Sequence, residues 1–325
     1  MKRHTHLILS ALFCAFIFAA CTKKSGKPAS TATPDAGSPP ITTDTNSTAG
    51  QDPAEPTHSV VPALARIPKC QRPTLVWSAP NQPNPETQAP AIFYSPHQDD
   101  ETLAMGASIA EHVRKGRPTY VVLLTDGASP INANKLGMTP GEYVQERMRE
   151  FINACKALGV HRIYIANRGH GFSDLLDKEN LIIGFKKTIT YFSVLHPKAS
   201  HKTVSGNCDP YNRNCDRHPT HQAATDAIRE LHASGVIDDV RLFRVYVYYW
   251  IHRKKNEQNA CAREADWLKP VDTRDKIARL RAFSAYRNDS DKRHGIGYWS
   301  VPPLFDHSRN SDLEYVDLIE HDCAE

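Results

Sequence analysis

Hydrophobic residues follow two rhythms along this chain. Ala91-Ile92-Phe93-Tyr94 and Thr119–Thr125 are short apolar runs, the pattern of strands buried on both faces, and Arg162–Ala166 repeats it. Between these runs apolar residues return every three or four positions. Leu103, Ala107, Ala110 and Val113 mark one helix from Leu103 to Lys115, stopped by Gly116. Thr139 and Pro140 open a long helix that runs to Leu158 and ends at Gly159. Asn180–Leu195 and Pro219–Ala233 read as further helices, Leu242–Trp250 as a late strand, and Asp272–Tyr286 as a basic amphipathic helix. Strands alternating with helices at this spacing predict right-handed crossovers and a parallel sheet, an α/β fold. There is no internal repeat and no signal of a second globular domain. Leu75-Val76-Trp77 reads as an anchoring edge in a Pro-rich approach, and the tail after Asn288 finds no place.

The first sixty residues obey neither rhythm. Met1-Lys2-Arg3-His4 is basic, and the apolar run Leu7–Ala20 is short for a bilayer span, the pattern of a secretory signal. Phe18-Ala19-Ala20-Cys21 resembles the lipobox of bacterial lipoproteins, which implies a lipidated Cys21. Thr22 follows, where Asp would resemble an inner-membrane retention signal. The expected address is the outer membrane of a diderm or the cell surface of a monoderm. Ser, Thr, Pro, Ala and Gly then dominate, too polar a stretch to offset its ordering entropy. The expected organisation is a signal peptide over residues 1–21, a flexible tether over 22–60 and a globular domain over 61–325.

Composition narrows the function. Forty basic residues face 36 acidic ones in 325, too mixed for a general nucleic-acid binder. Beyond Cys14 and Cys21 the six cysteines Cys70, Cys155, Cys208, Cys215, Cys261 and Cys323 suit an oxidising compartment. Cys208 and Cys215 flank a turn-rich loop and are the best local pair. Cys155, on an apolar helix face, reads as a buried thiol.

The chemistry gathers at Pro96-His97-Gln98-Asp99-Asp100-Glu101, where the first strand meets a helix. Ligands bind at that edge of open α/β sheets. Adjacent Asp99 and Asp100 repel and need a positive partner. A divalent metal supplies it, with His97 and one carboxylate as ligands and the other carboxylate free as a base. The plainer alternative is a polar turn with a capping Asp and a solvated Glu. Carboxylates where a dinucleotide site carries glycines would repel a pyrophosphate. Downstream, His218-Pro219-Thr220-His221 opens a helix with Pro at its first position. Either His218 or His221 completes three protein ligands, leaving an open position for water. The remaining Asp and His are a base and an acid for metal-assisted amide hydrolysis.

Taken together, these stretches resemble the GlcNAc-PI de-N-acetylase family, also called PIG-L or LmbE-like. Pro96–Glu101 is similar to its (A/P)HxDDE motif and His218–His221 to its HPDH motif. Arg147, Glu150, Ala154, Leu158 and Gly159 match the spacing of its helix, Phe172-Ser173-Asp174 its F-x-D turn, and Lys276–Tyr286 echoes its late helix. The resemblance covers Ala91 to Tyr286. It implies a Rossmann-like three-layer sandwich with a mostly parallel sheet. It also implies a hydrolase that removes acetyl from an N-acetylglucosamine-type sugar with one zinc ion per chain. Carried over residue by residue, His97, Asp100 and His221 are the zinc ligands and Asp99 the general base. His218 is a protonated acid, so the pH profile is bell-shaped. Arg147 and Asp174 face the sugar. An envelope glycan, polysaccharide or glycolipid is the expected substrate, met from a membrane anchor. The alternatives are another amide metallohydrolase, or an inactive carbohydrate-binding protein supported only by Thr220, which stands where the family has Asp. Gln98 replaces a more frequent Pro and is expected to matter little. Tyr248, Tyr249, Trp250 and Trp299 are aromatics able to stack on a sugar, though such residues more often serve a core.

Overall fold

The computed structural model describes residues 72–166, 173–206, 218–245, 267–288 and 293–319. In chain order it begins β1 (Thr74–Ser78), β2 (Ala91–Ser95), α1 (Asp100–Leu103), α2 (Gly106–Arg114), β3 (Thr119–Leu123), α3 (Pro130–Lys135), α4 (Pro140–Ala157) and β4 (Arg162–Ile165). There follow α5 (Lys178–Leu195), β5 (Ser200–Val204), α6 (Pro219–Ala233), β6 (Val240–Phe243), β7 (Trp267–Pro270) and α7 (Thr273–Ser284). The last elements are β8 (Arg287–Asn288), β9 (Arg293–His294), α8 (Ile296–Ser300), α9 (Pro302–Asn310) and β10 (Leu313–Asp317).

Among the described residues, eight strands form one sheet in the order β1-β4-β3-β2-β5-β6-β10-β7. The five central strands, β4 to β6, run parallel. The joints β1–β4, β6–β10 and β10–β7 are antiparallel. All five residues of β2 are buried, and its alternation separates two cores. Ala91 and Phe93 pack with α2, α4 and α7 through Ile109, Phe151 and Phe283. Ile92 and Tyr94 pack with α5 and α6 through Phe185, Phe192 and Ile228. The mixed α/β fold with a largely parallel sheet is thus the one the apolar rhythm predicts.

Departures from the sequence reading have local causes. The helix expected from Leu103 to Lys115 is broken between α1 and α2. The first N–H groups of α2 are satisfied from across the fold: Ala107 and Ser108 donate to Glu314 Oε1 of β10 at 2.9 and 3.0 Å. Strand β5 was not anticipated, because Ser200-His201-Lys202-Thr203-Val204 looks polar, yet all five residues are buried. Their polar groups pair inside: Tyr94 Oη lies 2.9 Å from His201 Nδ1, and Thr203 Oγ1 donates to Tyr94 O at 2.9 Å. The unplaced tail builds α8, α9 and β10, and β10 joins β6 to β7. The late strand is β6, Val240–Phe243, and Tyr248, Tyr249 and Trp250 lie outside the described residues. So do Cys21, Cys70, Cys208, Cys215, Cys261 and Cys323. Cys155 is a buried free thiol, as its helix face implied.

Lys202 is the costly residue of β5. It is 5% exposed and bonds to Ser200 Oγ. Burial outweighs the attraction of Asp239 and pushes its pKa down to about 7. An amine whose folded pKa lies below its unfolded value adds stability as pH rises from about 7 towards 10.5. Lys202→Met is therefore expected to stabilise the protein by about 1–4 kcal/mol near neutral pH and below. The gain should shrink as the wild-type amine loses its charge. Thermal melts across this range check it; a gain that grows with pH would contradict the buried-charge account.

Candidate active site

The chain leaves β2 at Ser95 and turns at once into α1. Asp99, the residue before that helix, has φ of 116°, a left-handed conformation that costs a non-glycine residue roughly 1–3 kcal/mol. Hydrogen bonds hold it there. Its N–H donates to Glu101 Oε2 at 3.0 Å, and its carbonyl accepts from Thr102 N at 2.9 Å and Leu103 N at 2.8 Å. The turn brings Asp100 back onto His97: Asp100 Oδ2 accepts the His97 backbone N–H at 2.9 Å and lies 3.1 Å from His97 Nδ1.

Helix α6 delivers the third group. Gly206, just past β5, touches the backbone of its first turn. A Cβ there would stand 2.4 Å from His221 C and Gln222 N. Gly206 N–H donates to Thr225 Oγ1 at 2.7 Å, and Thr225 Oγ1 donates to Val204 O at 3.0 Å. The start of α6 is thereby clamped on the end of β5. His221 Nε2 then lies 3.1 Å from Asp100 Oδ2 and 3.1 Å from His97 Nδ1. Two imidazole nitrogens and a carboxylate oxygen form a triangle of equal sides. An ion about 2 Å from each atom fits that triangle, and two nitrogens with one oxygen is a catalytic donor set. His97, His218 and His221 also have nitrogens within 4.8 Å of one another. The set with Asp100 is tighter and includes a negative ligand, so it is the better cation site.

Charge follows from this crowding. Burial would raise the Asp100 pKa, but His221 and His97 outweigh it and hold it well below the usual carboxylate range. Burial would lower His97, yet Asp174 and Asp100 lift it to about 9. A divalent cation replaces the protons such groups otherwise collect. Burial raises Asp99 to about 6, with Arg147 opposing. Burial and the neighbouring imidazoles push His218 down to about 4. This downward push favours a neutral His218, whereas the sequence reading expected a protonated one; His97 and His221 crowd it from 4.4 and 5.0 Å between ring centres.

All seven predicted residues around the cleft come together: His97, Asp99, Asp100, Arg147, Asp174, His218 and His221 line one space of about 180 Å³. Arg147 and Asp174, expected to face the sugar, have polar atoms engaged by the protein. Arg147 is 5% exposed, and its Nη2 reaches Asp99 Oδ2 at 3.2 Å and also bonds to Gln98 O. Asp174 Oδ1 accepts from His97 Nε2 at 2.9 Å and from Thr220 Oγ1 at 2.5 Å. Gln98 does more than fill space: fully buried, it donates from Nε2 to Asp126 O at 2.8 Å. Sequence reasoning missed the supports. Glu101 is fully buried and accepts from Tyr286 Oη at 2.5 Å and Thr102 Oγ1 at 2.6 Å. Glu150 accepts the N–H groups of Ile296 and Gly297 at 2.8 and 3.0 Å, fixing α8 beside the cleft, where Ser300, Val301 and Leu304 form part of the wall. Glu101 stood in the motif and Glu150 in the helix match; their partners in the tail left no local signal.

The donor triangle and the adjoining carboxylate are an arrangement suited to metal-assisted hydrolysis. Residues 92–232 match the model of the PIG-L family, GlcNAc-PI de-N-acetylase, and that match supports a metal-dependent N-deacetylase. No curated relative matches the chain. A deacetylase of the teicoplanin biosynthesis pathway, solved in complex with teicoplanin, aligns over 70% of this chain and 96% of its own at 16% identity, with a TM-score of 0.51. Another complex of a deacetylase from that pathway aligns over the same shares at 17% identity and a TM-score of 0.50. N,N'-diacetylchitobiose deacetylase from Pyrococcus horikoshii aligns over 71% of this chain and 83% of its own at 15% identity, with a TM-score of 0.42. The two teicoplanin-pathway alignments show a shared fold.

Gly206→Ala tests the clamp under His221. The added carbon meets backbone, so α6 must shift. The expected outcome is at least a tenfold loss of zinc affinity in competition with a chelator, and about 1–3 kcal/mol of destabilisation without metal. Unchanged affinity would mean that His221 does not depend on this contact.

Proposed function

We propose that this protein hydrolyses the N-acetyl group of an N-acetylglucosamine-type sugar, with zinc as its resident ion. The observation that carries the reading is the 3.1 Å triangle of His97 Nδ1, Asp100 Oδ2 and His221 Nε2 beside the carboxylate of Asp99. The PIG-L match and the deacetylase fold support it. Ser129, Asn132 and Tyr143 offer the cleft hydroxyl and amide groups suited to a sugar, and Leu103, Val301 and Leu304 offer apolar surface for an acetyl methyl.

His97, Asp100 and His221 would hold the ion, which when bound supplies a lowered pKa for water and positive charge for a developing oxyanion. The protein's own groups do the rest. Arg147 engages one oxygen of Asp99 and leaves the other for a proton. Asp99 takes that proton from the attacking water. His218, neutral, donates an N–H hydrogen bond to the substrate's carbonyl oxygen as it gains charge. Asp99 then returns the proton to the leaving nitrogen, and acetate and a free amine depart. Asp99 is thus both base and acid carrier, and His218 stabilises charge without having to be cationic.

We place the substrate in the envelope. Cys21, read as the lipid site, and the tether over 22–60 would anchor the domain to a membrane surface facing glycan or glycolipid. Cys21→Ser should move the protein from the membrane fraction to the soluble exported fraction. Retention of the variant at the membrane would remove the anchor from the account.

Acetate release from N-acetylglucosamine oligomers, with metal content measured on the same sample, tests the reaction. Release should vanish in Asp99→Asn with zinc retained. Because Asp99 must be ionised and its pKa is raised to about 6, kcat/KM should climb as pH rises towards that value and then hold. A fall between about pH 6 and 8 would restore His218 as a protonated acid. No release from any N-acetyl sugar, with zinc bound, would sink the sugar reading.

A further inference from the structure

We propose that Asp174 is a positioning residue for the metal centre: its carboxylate orients His97 and ties both histidine ligands together through Thr220. The ring of His97 has two nitrogens and two distinct neighbours. Nδ1 belongs to the ligand triangle, 3.1 Å from Asp100 Oδ2 and 3.1 Å from His221 Nε2. Nε2 lies 2.9 Å from Asp174 Oδ1. A carboxylate accepts, so Nε2 carries the hydrogen and Nδ1 presents its lone pair to the ion. The same Oδ1 accepts the Thr220 hydroxyl at 2.5 Å. Thr220 immediately precedes His221 on α6, so a single oxygen braces the two segments that carry the ligand nitrogens.

Asp174 is itself aimed. Its backbone N–H donates to Asp126 Oδ1 at 3.0 Å, and Asp126 O accepts Gln98 Nε2–H at 2.8 Å. Gln98 adjoins His97 in the chain. The path from His97 through Asp174, Asp126 and Gln98 therefore returns to its start and closes a ring. Gly127 makes room for it: φ is +61°, and a Cβ there would fall 2.0 Å from Gln98 Oε1. With Thr at position 220, negative charge at this side of the histidines comes from Asp174. This role differs from contact with a sugar, the reading its sequence position suggested.

The inference rests on the metal site and not on the identity of the substrate. Zinc affinity of the full chain, measured by competition with a chromophoric chelator, tests it without any sugar present. Asp174→Asn keeps the shape and removes the charge. It should weaken zinc roughly 10- to 100-fold and change the visible absorption of the cobalt(II)-substituted protein. Thr220→Val should weaken zinc in the same direction, and Thr220→Ser should restore it. Zinc affinity within twofold of wild type in both Asp174→Asn and Thr220→Val, with KM for an N-acetyl sugar raised in Asp174→Asn, would overturn the proposal and return Asp174 to the sugar. A wild-type chain that binds no zinc would overturn the metal reading itself, a different failure.

Discussion

Two imidazole nitrogens and a carboxylate oxygen, each 3.1 Å from the other two, do not gather unaided. Their lone pairs point at one another, and burial removes the water that would screen them. Something rigid must hold them until a cation arrives. The parallel sheet provides that rigidity. His97 and Asp100 come from the end of β2, and His221 comes from a helix pressed against the end of neighbouring β5 at Gly206. The β2–β5 register sets how far apart the two segments stand.

The cost of this arrangement appears in the residues around it. Asp99 takes a left-handed backbone and a raised pKa, and it sits on the buried guanidinium of Arg147. Glu101 is lifted to about 7 by burial despite its donors Thr102 and Tyr286. The C-terminal segment offsets part of the cost. Tyr286 reaches Glu101, Ser308 Oγ donates to Leu103 O at 3.0 Å, and α8 is fixed by Glu150. The tail is thus a wall and a brace for the first motif, although some two hundred residues of chain lie between them.

The sequence revealed the middle of the fold well and its margins poorly. Pro219–Ala233 was placed to the residue because its start at Pro219 and its stop near Gly235 are local signals. The cap of α4 was equally plain: Thr139 and Glu142 complete a capping box. Strand β5 escaped because His201, Lys202 and Thr203 hide their polarity in partners from other strands and loops. The break before α2 escaped because Glu314, which satisfies the α2 N–H groups, lies 206 residues beyond Ser108.

The same division runs through the site. His97, Asp99, Asp100, His218 and His221 could be nominated from their order and spacing, since side-chain chemistry and helix starts are written locally. Which groups touch was settled elsewhere. Gln98 looked replaceable until its amide met Asp126; Asp174 and Arg147, expected to face the sugar, line the cleft and also engage His97 and Asp99. Protonation was also beyond the linear chain, because the His218 pKa is pushed down by burial and by two imidazoles brought to it in space. Residue types and periodicity follow from the order of amino acids alone. Distance, burial and the field at each charged group arise when segments far apart in sequence pack, and these assign each candidate its partner and its charge.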